Sequence, residues 1–424
     1  MEIPSWIHKY RRSVHILALI TLLFIIFQSG LKWQLPRPLQ LISISLDYIV
    51  FVCFLLDSVL TFIYTFPKSR YLKENWLDFL VFAPVLLNLI SIQAGAGLVI
   101  VRYVLIIIKL FTRTRKFSNL LRGIRLNTAQ IVAFSFAATI LIGTILLSFP
   151  AATVDGKGTP FIDALFTSTS ATCVTGLIVR DTPVYFSRFG QMVILALIQM
   201  GGLGIMTYSA FVALLFGRFS LGQRKLVQEM FEEEQNAYSM ILYIFKMTFT
   251  VELMGAAALF IRWFFHFKNP LQTLYFSVFH SISAFCNAGF SLFSNSIENF
   301  VSDPITNLVI MILIIVGGLG FLVVYDITQR IGKPRKPLSP HSKLILTTSG
   351  LLILIGFIAI FFFEFDGSLM SKPLSGKLWA SLFQSVTTRT AGFNSLPIGS
   401  MTNISLTIMK LILIFHWLLL QITV

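Results

Sequence analysis

Three short stretches carry the residues whose types and spacing could do chemistry. They read STSATCVTGL over 168–177, FSVFHSISAFCNAGF over 276–290 and LFQSVTTRTAGFN over 382–394. Each is a run of small, hydroxyl-bearing residues closing on a glycine: Gly176, Gly289 and Gly392. Each is too polar for lipid and too apolar for an ordinary surface loop, and each lies between long hydrophobic segments. Glycine lets the chain turn so that successive carbonyls face one side. Within a bilayer, irregular backbone survives only where protein buries it or water reaches it. Rings of such carbonyls can replace the hydration shell of a cation. The chemistry on offer is therefore ion coordination by main-chain oxygens, at three re-entrant pore loops.

The elements that must position these loops are membrane helices. The chain has 424 residues, 56% hydrophobic and 12% charged. A soluble domain carries about 25% charged residues, so long apolar runs define a polytopic, all-α membrane protein. The net charge of +15 fits basic residues gathered in cytoplasmic loops, and no nucleic-acid partner is expected. Cys53, Cys173 and Cys286 show neither metal-ligand spacing nor a disulfide pattern. The basic start, MEIPSWIHKYRRSVH, precedes an apolar run without a small-residue cleavage site. It is expected to be a retained first span with a cytoplasmic N-terminus.

About ten spans are expected. The first four, Ser13–Gln28, Leu41–Tyr64, Trp76–Leu89 and Leu98–Phe111, form a four-helix N-terminal domain over 1–126. They resemble the voltage-sensor-like domain of tetrameric cation channels, with Asp47 and Asp57 in the second span and Asn75 to Asp78 opening the third. A working sensor needs a basic ladder, yet Arg102 and Lys109 stand seven positions apart. A structural bundle in which the aspartates pair with Arg102 is the expectation.

The pore domain over 127–424 repeats one pattern three times: a span, a loop ending in glycine, and a second span. The repeats cover 127–217, 240–327 and 343–424. Their spans are Asn127–Pro150 and Phe189–Phe216, Tyr243–Phe265 and Ile305–Tyr325, then Leu344–Phe363 and Ile404–Val424. In the first two repeats the second span holds a GGLG, at 201–204 and 317–320. The repeat is a parallel internal one.

SATCVTGL around Gly176, QMGGLGIMTY from Gln199, SAFCNAGF around Gly289, SVTTRTAGF around Gly392, and the Ser339 to Lys343 segment resemble the Trk/Ktr/HKT superfamily of potassium transporters. The membrane subunits of the KtrB/TrkH kind are the nearest match, over about Thr128 to Phe415. The resemblance implies four membrane-pore-membrane units around one pore, where this sequence shows three. It implies filter glycines at Gly176, Gly289 and Gly392, preceded by Thr175, Ala288 and Ala391, whose carbonyls bind K⁺. Glycine at these places matches the potassium-preferring pattern, and Na⁺ coupling is open. It further implies a homodimer in the cell membrane with a cytoplasmic nucleotide-binding subunit of the KtrA/TrkA kind. No Gly-rich phosphate loop occurs in this chain, and no cofactor is expected. His416 and Trp417 stand where the family's third unit has a Gly-rich break. A frameshifted, non-conducting product is therefore the alternative expectation.

Arg389 and Glu252 are the candidates for ion tuning or gating. Arg389 either ties to nearby backbone carbonyls or lowers ion occupancy. Glu252 is intramembrane and so functional by default, or else pairs with Lys246 or Arg262. His280 is expected to pack its loop, and Lys410 stays ambiguous. A voltage-gated channel would need the missing ladder. A membrane enzyme would need a convergent constellation, and His8, His15, His266, His280, His341 and His416 are scattered.

Overall fold

The computed structural model describes residues 49, 52, 53, 56, 128–204, 237–332 and 337–422. The remainder of the N-terminal four-helix region and Glu232 to Glu234 lie outside the described residues. Ile49, Val52, Cys53 and Leu56 are helical, within the expected second span. The described residues form helices and turns, without a strand.

The chain divides into two compact units. One takes in 1–131, 149–159 and 210–232. In its 149–159 segment, Gly156 and Gly158 adopt positive φ, and the Gly158 N–H donates to Thr153 Oγ1 at 3.0 Å. The Lys157 N–H donates to Asp155 Oδ1 at 3.0 Å, which holds that exposed carboxyl below the usual range.

The other unit takes in 132–148, 160–209 and 233–424, which hold all or most of each helix named below. Repeat one has helix α1 (Thr128–Ser148), the short α2 (Phe161–Thr172) and α3 (Arg188–Gly202). Repeat two has α4 (Ala237–Phe264), α5 (Pro270–Phe285), α6 (Pro304–Gly318) and α7 (Phe321–Gly332). Repeat three has α8 (Pro340–Phe363), α9 (Leu374–Thr390) and α10 (Asn403–Ile422).

Local sequence sets the starts. Ser187, Asn269, Asp303 and Ser339 each accept a backbone N–H in the first turn of α3, α5, α6 and α8. The last three are followed by proline at the first helical position, where no N–H is needed. Burial holds the Asp303 carboxyl up, but the Arg262 guanidinium and the Thr306 hydroxyl outweigh it and keep it below its ordinary value.

Among the described residues, two helices, Leu242–Phe264 and Pro340–Phe363, are long and apolar enough to cross a membrane. Their outward rows, Leu253, Met254 and Ile261 on α4 and Leu351, Leu354 and Phe362 on α8, are exposed as lipid contact requires. The expected single span Ile305–Tyr325 is corrected. It breaks after Gly318, and α6 and α7 diverge by 104°. Gly320, at φ 82°, is the reason, since few residues other than glycine turn there without strain.

Candidate functional site

Each of α2, α5 and α9 is pinned to the first helix of its own repeat by one serine. Ser168 Oγ donates to the Ile140 carbonyl of α1 at 2.7 Å. Ser281 Oγ donates to the Glu252 carbonyl of α4 at 2.6 Å, and Ser385 Oγ to the Ile353 carbonyl of α8 at 2.7 Å. Three residues beyond each acceptor stands a glycine, Gly143, Gly255 or Gly356, where a Cβ would strike that serine. All three serines are buried and so need a partner. One hydroxyl in each loop is thus explained by docking, helix against helix.

After these short helices the chain bends three times alike. Gly176, Gly289 and Gly392 have φ of 75°, 70° and 75°. A Cβ on Gly176 would lie 2.6 Å from the Ala288 carbonyl oxygen and 3.5 Å from the Gly289 Cα. A Cβ on Gly289 would strike the Ala391 carbonyl oxygen and lie 3.2 Å from the Gly392 carbonyl carbon. The bends therefore sit side by side, Gly176 and Gly289 each turning the same face to the carbonyl of the next loop, while a Cβ on Gly392 would meet nothing within 4 Å among the described residues. Thr175, Ala288 and Ala391 are brought together with them.

The loops are braced individually. The Thr175 N–H donates to the Ser170 carbonyl at 2.9 Å and the Ala288 N–H to the Ser283 carbonyl at 2.8 Å. Asn394 and Ile297 link the third loop to the segment after the second: the Ile297 N–H donates to the Asn394 carbonyl, and the Asn394 N–H to Ser296 Oγ, both at 3.0 Å. His280 holds the descending limb of loop two. Its Nδ1 donates to the Phe276 carbonyl at 2.7 Å, so Nε2 accepts from the Leu292 N–H at 3.3 Å and the Ser291 hydroxyl at 3.0 Å. Its ring stacks on Phe293 beside Trp263.

The GGLG turns buttress the bends from below. A Cβ on Gly201 or Gly317 would strike the last carbonyl of the short helix of its own repeat, Thr172 or Phe285. A Cβ on Gly202 would strike Cys286, and one on Gly318 would come within 3.6 Å of the Arg389 guanidinium. One glycine faces its own repeat and the next faces the following repeat.

Arg389 is 1% exposed, and none of its three guanidinium nitrogens has a hydrogen-bond partner among the described residues. The expected tie to backbone carbonyls is therefore corrected. The nearby Thr387 carbonyl is taken by the Ala391 and Gly392 N–H groups. Arg262 bonds Asp303 at 2.9 Å rather than Glu252. The Glu252 carboxylate instead accepts from Gln199 Nε2, a partner that sequence reasoning missed, because 53 residues separate them and neither sits in a motif with the other.

Short helices pinned to longer apolar helices, with glycine bends meeting beyond their ends, are the arrangement of an all-helical membrane protein among the described residues. The model of the TrkH family, described as a cation transport protein, matches residues 99–415. The chain belongs to that family. It is 42% identical over 288 residues to the Ktr system potassium uptake protein B of Bacillus subtilis, covering 67% of this chain and 64% of that protein. Ktr system potassium uptake protein B of Vibrio alginolyticus is 38% identical, covering 67% and 63%. The potassium/sodium uptake protein NtpJ of Enterococcus hirae is 36% identical, covering 66% and 63%. The chain thus spans less than two thirds of the length of these relatives. The crystal structure of the potassium transporter TrkH from Vibrio parahaemolyticus shares the fold, with a TM-score of 0.54 at 17% identity, over 81% of this chain and 67% of that one.

Proposed function

We propose that the chain is the ion-conducting membrane subunit of a Trk/Ktr-type potassium uptake system. The observation that carries this is the abutment of the Gly176, Gly289 and Gly392 bends, at matching places in three repeats. The carbonyls of Thr175, Gly176, Ala288, Gly289, Ala391 and Gly392 strip water from K⁺ and replace it. Helices α2, α5 and α9 end directly before the bends, so their negative ends favour a cation there. Arg389, buried and unpaired among the described residues, places a fixed positive charge beside this site and limits how many ions it holds.

The subunit works in the cell membrane as a homodimer with a cytoplasmic nucleotide-binding partner, and its N-terminus is cytoplasmic. The relatives' names, which include a Ktr system and a potassium/sodium protein, support potassium uptake and a multi-subunit system and keep Na⁺ coupling open. Potassium-limited growth of an uptake-deficient cell expressing the chain with its regulatory partner tests the proposal. Growth should be rescued and then lost on Gly176→Arg. Unchanged growth of that variant would contradict the filter assignment.

A further inference from the structure

The polar pair Glu252 and Gln199 stands where the repeat has no need of polarity. The carbonyl that receives the docking serine belongs to Ile140 in repeat one, Glu252 in repeat two and Ile353 in repeat three. Gln199 lies two residues before Gly201, and the matching residue before Gly317 is Ile315. The same scaffold is therefore built elsewhere with isoleucine at both kinds of position. Glu252 is 4% exposed, and no cation among the described residues pairs with it. A carboxylate in such a place is costly and calls for a role.

The hydrogen bonds run in one direction. The Cys286 thiol donates to Gln199 Oε1 at 3.9 Å, and Gln199 Nε2 donates to Glu252 Oε1 at 3.0 Å and Oε2 at 3.3 Å. Glu252 presents both side-chain oxygens to the Gln199 NH₂ and accepts from it. It therefore turns the Gln199 amide so that NH₂ faces α4 and the oxygen faces Cys286. Cys286 is the first residue after α5, three before Gly289, and it packs on Gly202 at the end of α3. Among the described residues, loops one and three are without such a chain, because Ile140 and Ile353 cannot orient an amide.

We propose that Glu252 is a positioning residue for the second filter loop, acting through Gln199 to fix Cys286 at the loop's foot. The proposal rests on the filter role given to that loop, but its test does not. The S–H stretching band of Cys286 reports the thiol's hydrogen bond directly and is assigned by its loss in Cys286→Ser. It is read by infrared spectroscopy on the full chain in detergent or lipid discs.

Glu252→Ile and Gln199→Ile install the residues that the other repeats already use, so both variants are expected to fold. Each should move the band to the free-thiol position, and the double variant should add nothing, because the three groups act as one chain. Among transporting variants, the rubidium-to-potassium uptake ratio should change with the band, on the order of fivefold, the worth of one ordinary hydrogen bond. A Cys286 band unmoved in both single variants would overturn the proposal. A band that moves as expected while the unaltered chain carries no potassium would uphold the positioning and strike instead at the transport assignment.

Discussion

The second and third glycine loops are made from the same parts and finish differently. Both hang from a serine bonded to the preceding helix, and both bend at a positive-φ glycine. From Ser281 to Gly289 is eight residues, as from Ser168 to Gly176, but from Ser385 to Gly392 is seven. The missing residue is the left-handed one. Val174 and Asn287 have φ of 56° and 59°, whereas in loop three α9 runs on to Thr390 and no such residue follows. The bond reaching back five residues shifts with it, from Thr175 and Ala288 in the first two loops to Gly392 in the third. Thr390 compensates by donating its hydroxyl to Asn287 Oδ1 at 2.8 Å, leaning the short loop on its longer neighbour. The docking is kept constant while the lining varies, so the layers of carbonyls cannot be equivalent around the site.

The largest effect should come from the bend the loops share. In Gly289→Ala the new Cβ strikes the Ala391 carbonyl and the left-handed backbone is strained by about 1–3 kcal/mol. Rubidium uptake should be lost, and full uptake would show that the loops do not meet as described. Asn287→Val gives loop two the residue of loop one. It forfeits the Thr390 bond and puts a β-branched residue at positive φ, so a loss of about 2 kcal/mol is expected. A neutral result by thermal unfolding would mean that loop three stands without its neighbour.

Ser281→Ala and Ser385→Ala should each cost about 1 kcal/mol. Equal losses would sharpen the view that docking is indifferent to loop length, and clearly unequal losses would break it. The smallest effect belongs to Glu364, which ends α8 and staples the start of α10. Burial raises its carboxyl, but bonds from Ser405, Thr402 and Ser368 outweigh that and hold it below the ordinary value. Its stabilising contribution is present above the unfolded-state pKa and lost as pH falls through the lower folded one. Unfolding measured against pH should show that acid-side loss, and Glu364→Gln should flatten it.

Much of this was legible in the chain itself. The three glycines, Gly176, Gly289 and Gly392, mark bends because glycine is what a left-handed turn and a close backbone approach require. The bend at Gly320 was hidden, because the residues on both sides of it, 308–319 and 321–325, are apolar and hydrophobicity does not record direction. The third loop looked like the others since its final Ala391 and Gly392 match Ala288 and Gly289. Its one-residue deficit shows only against Ser385, and that serine's role is a contact with a helix 32 residues away. Gln199 and Glu252 could not be paired from sequence, as their meeting depends on how neighbouring repeats pack.

The central claim is that main-chain oxygens at the three bends hold a dehydrated alkali cation. Anomalous diffraction from crystals of the chain soaked with thallium, a potassium-like ion, locates such a site directly. A peak beside the Thr175, Ala288 and Ala391 carbonyls is expected. Thallium bound only elsewhere, with those carbonyls bare, would contradict it.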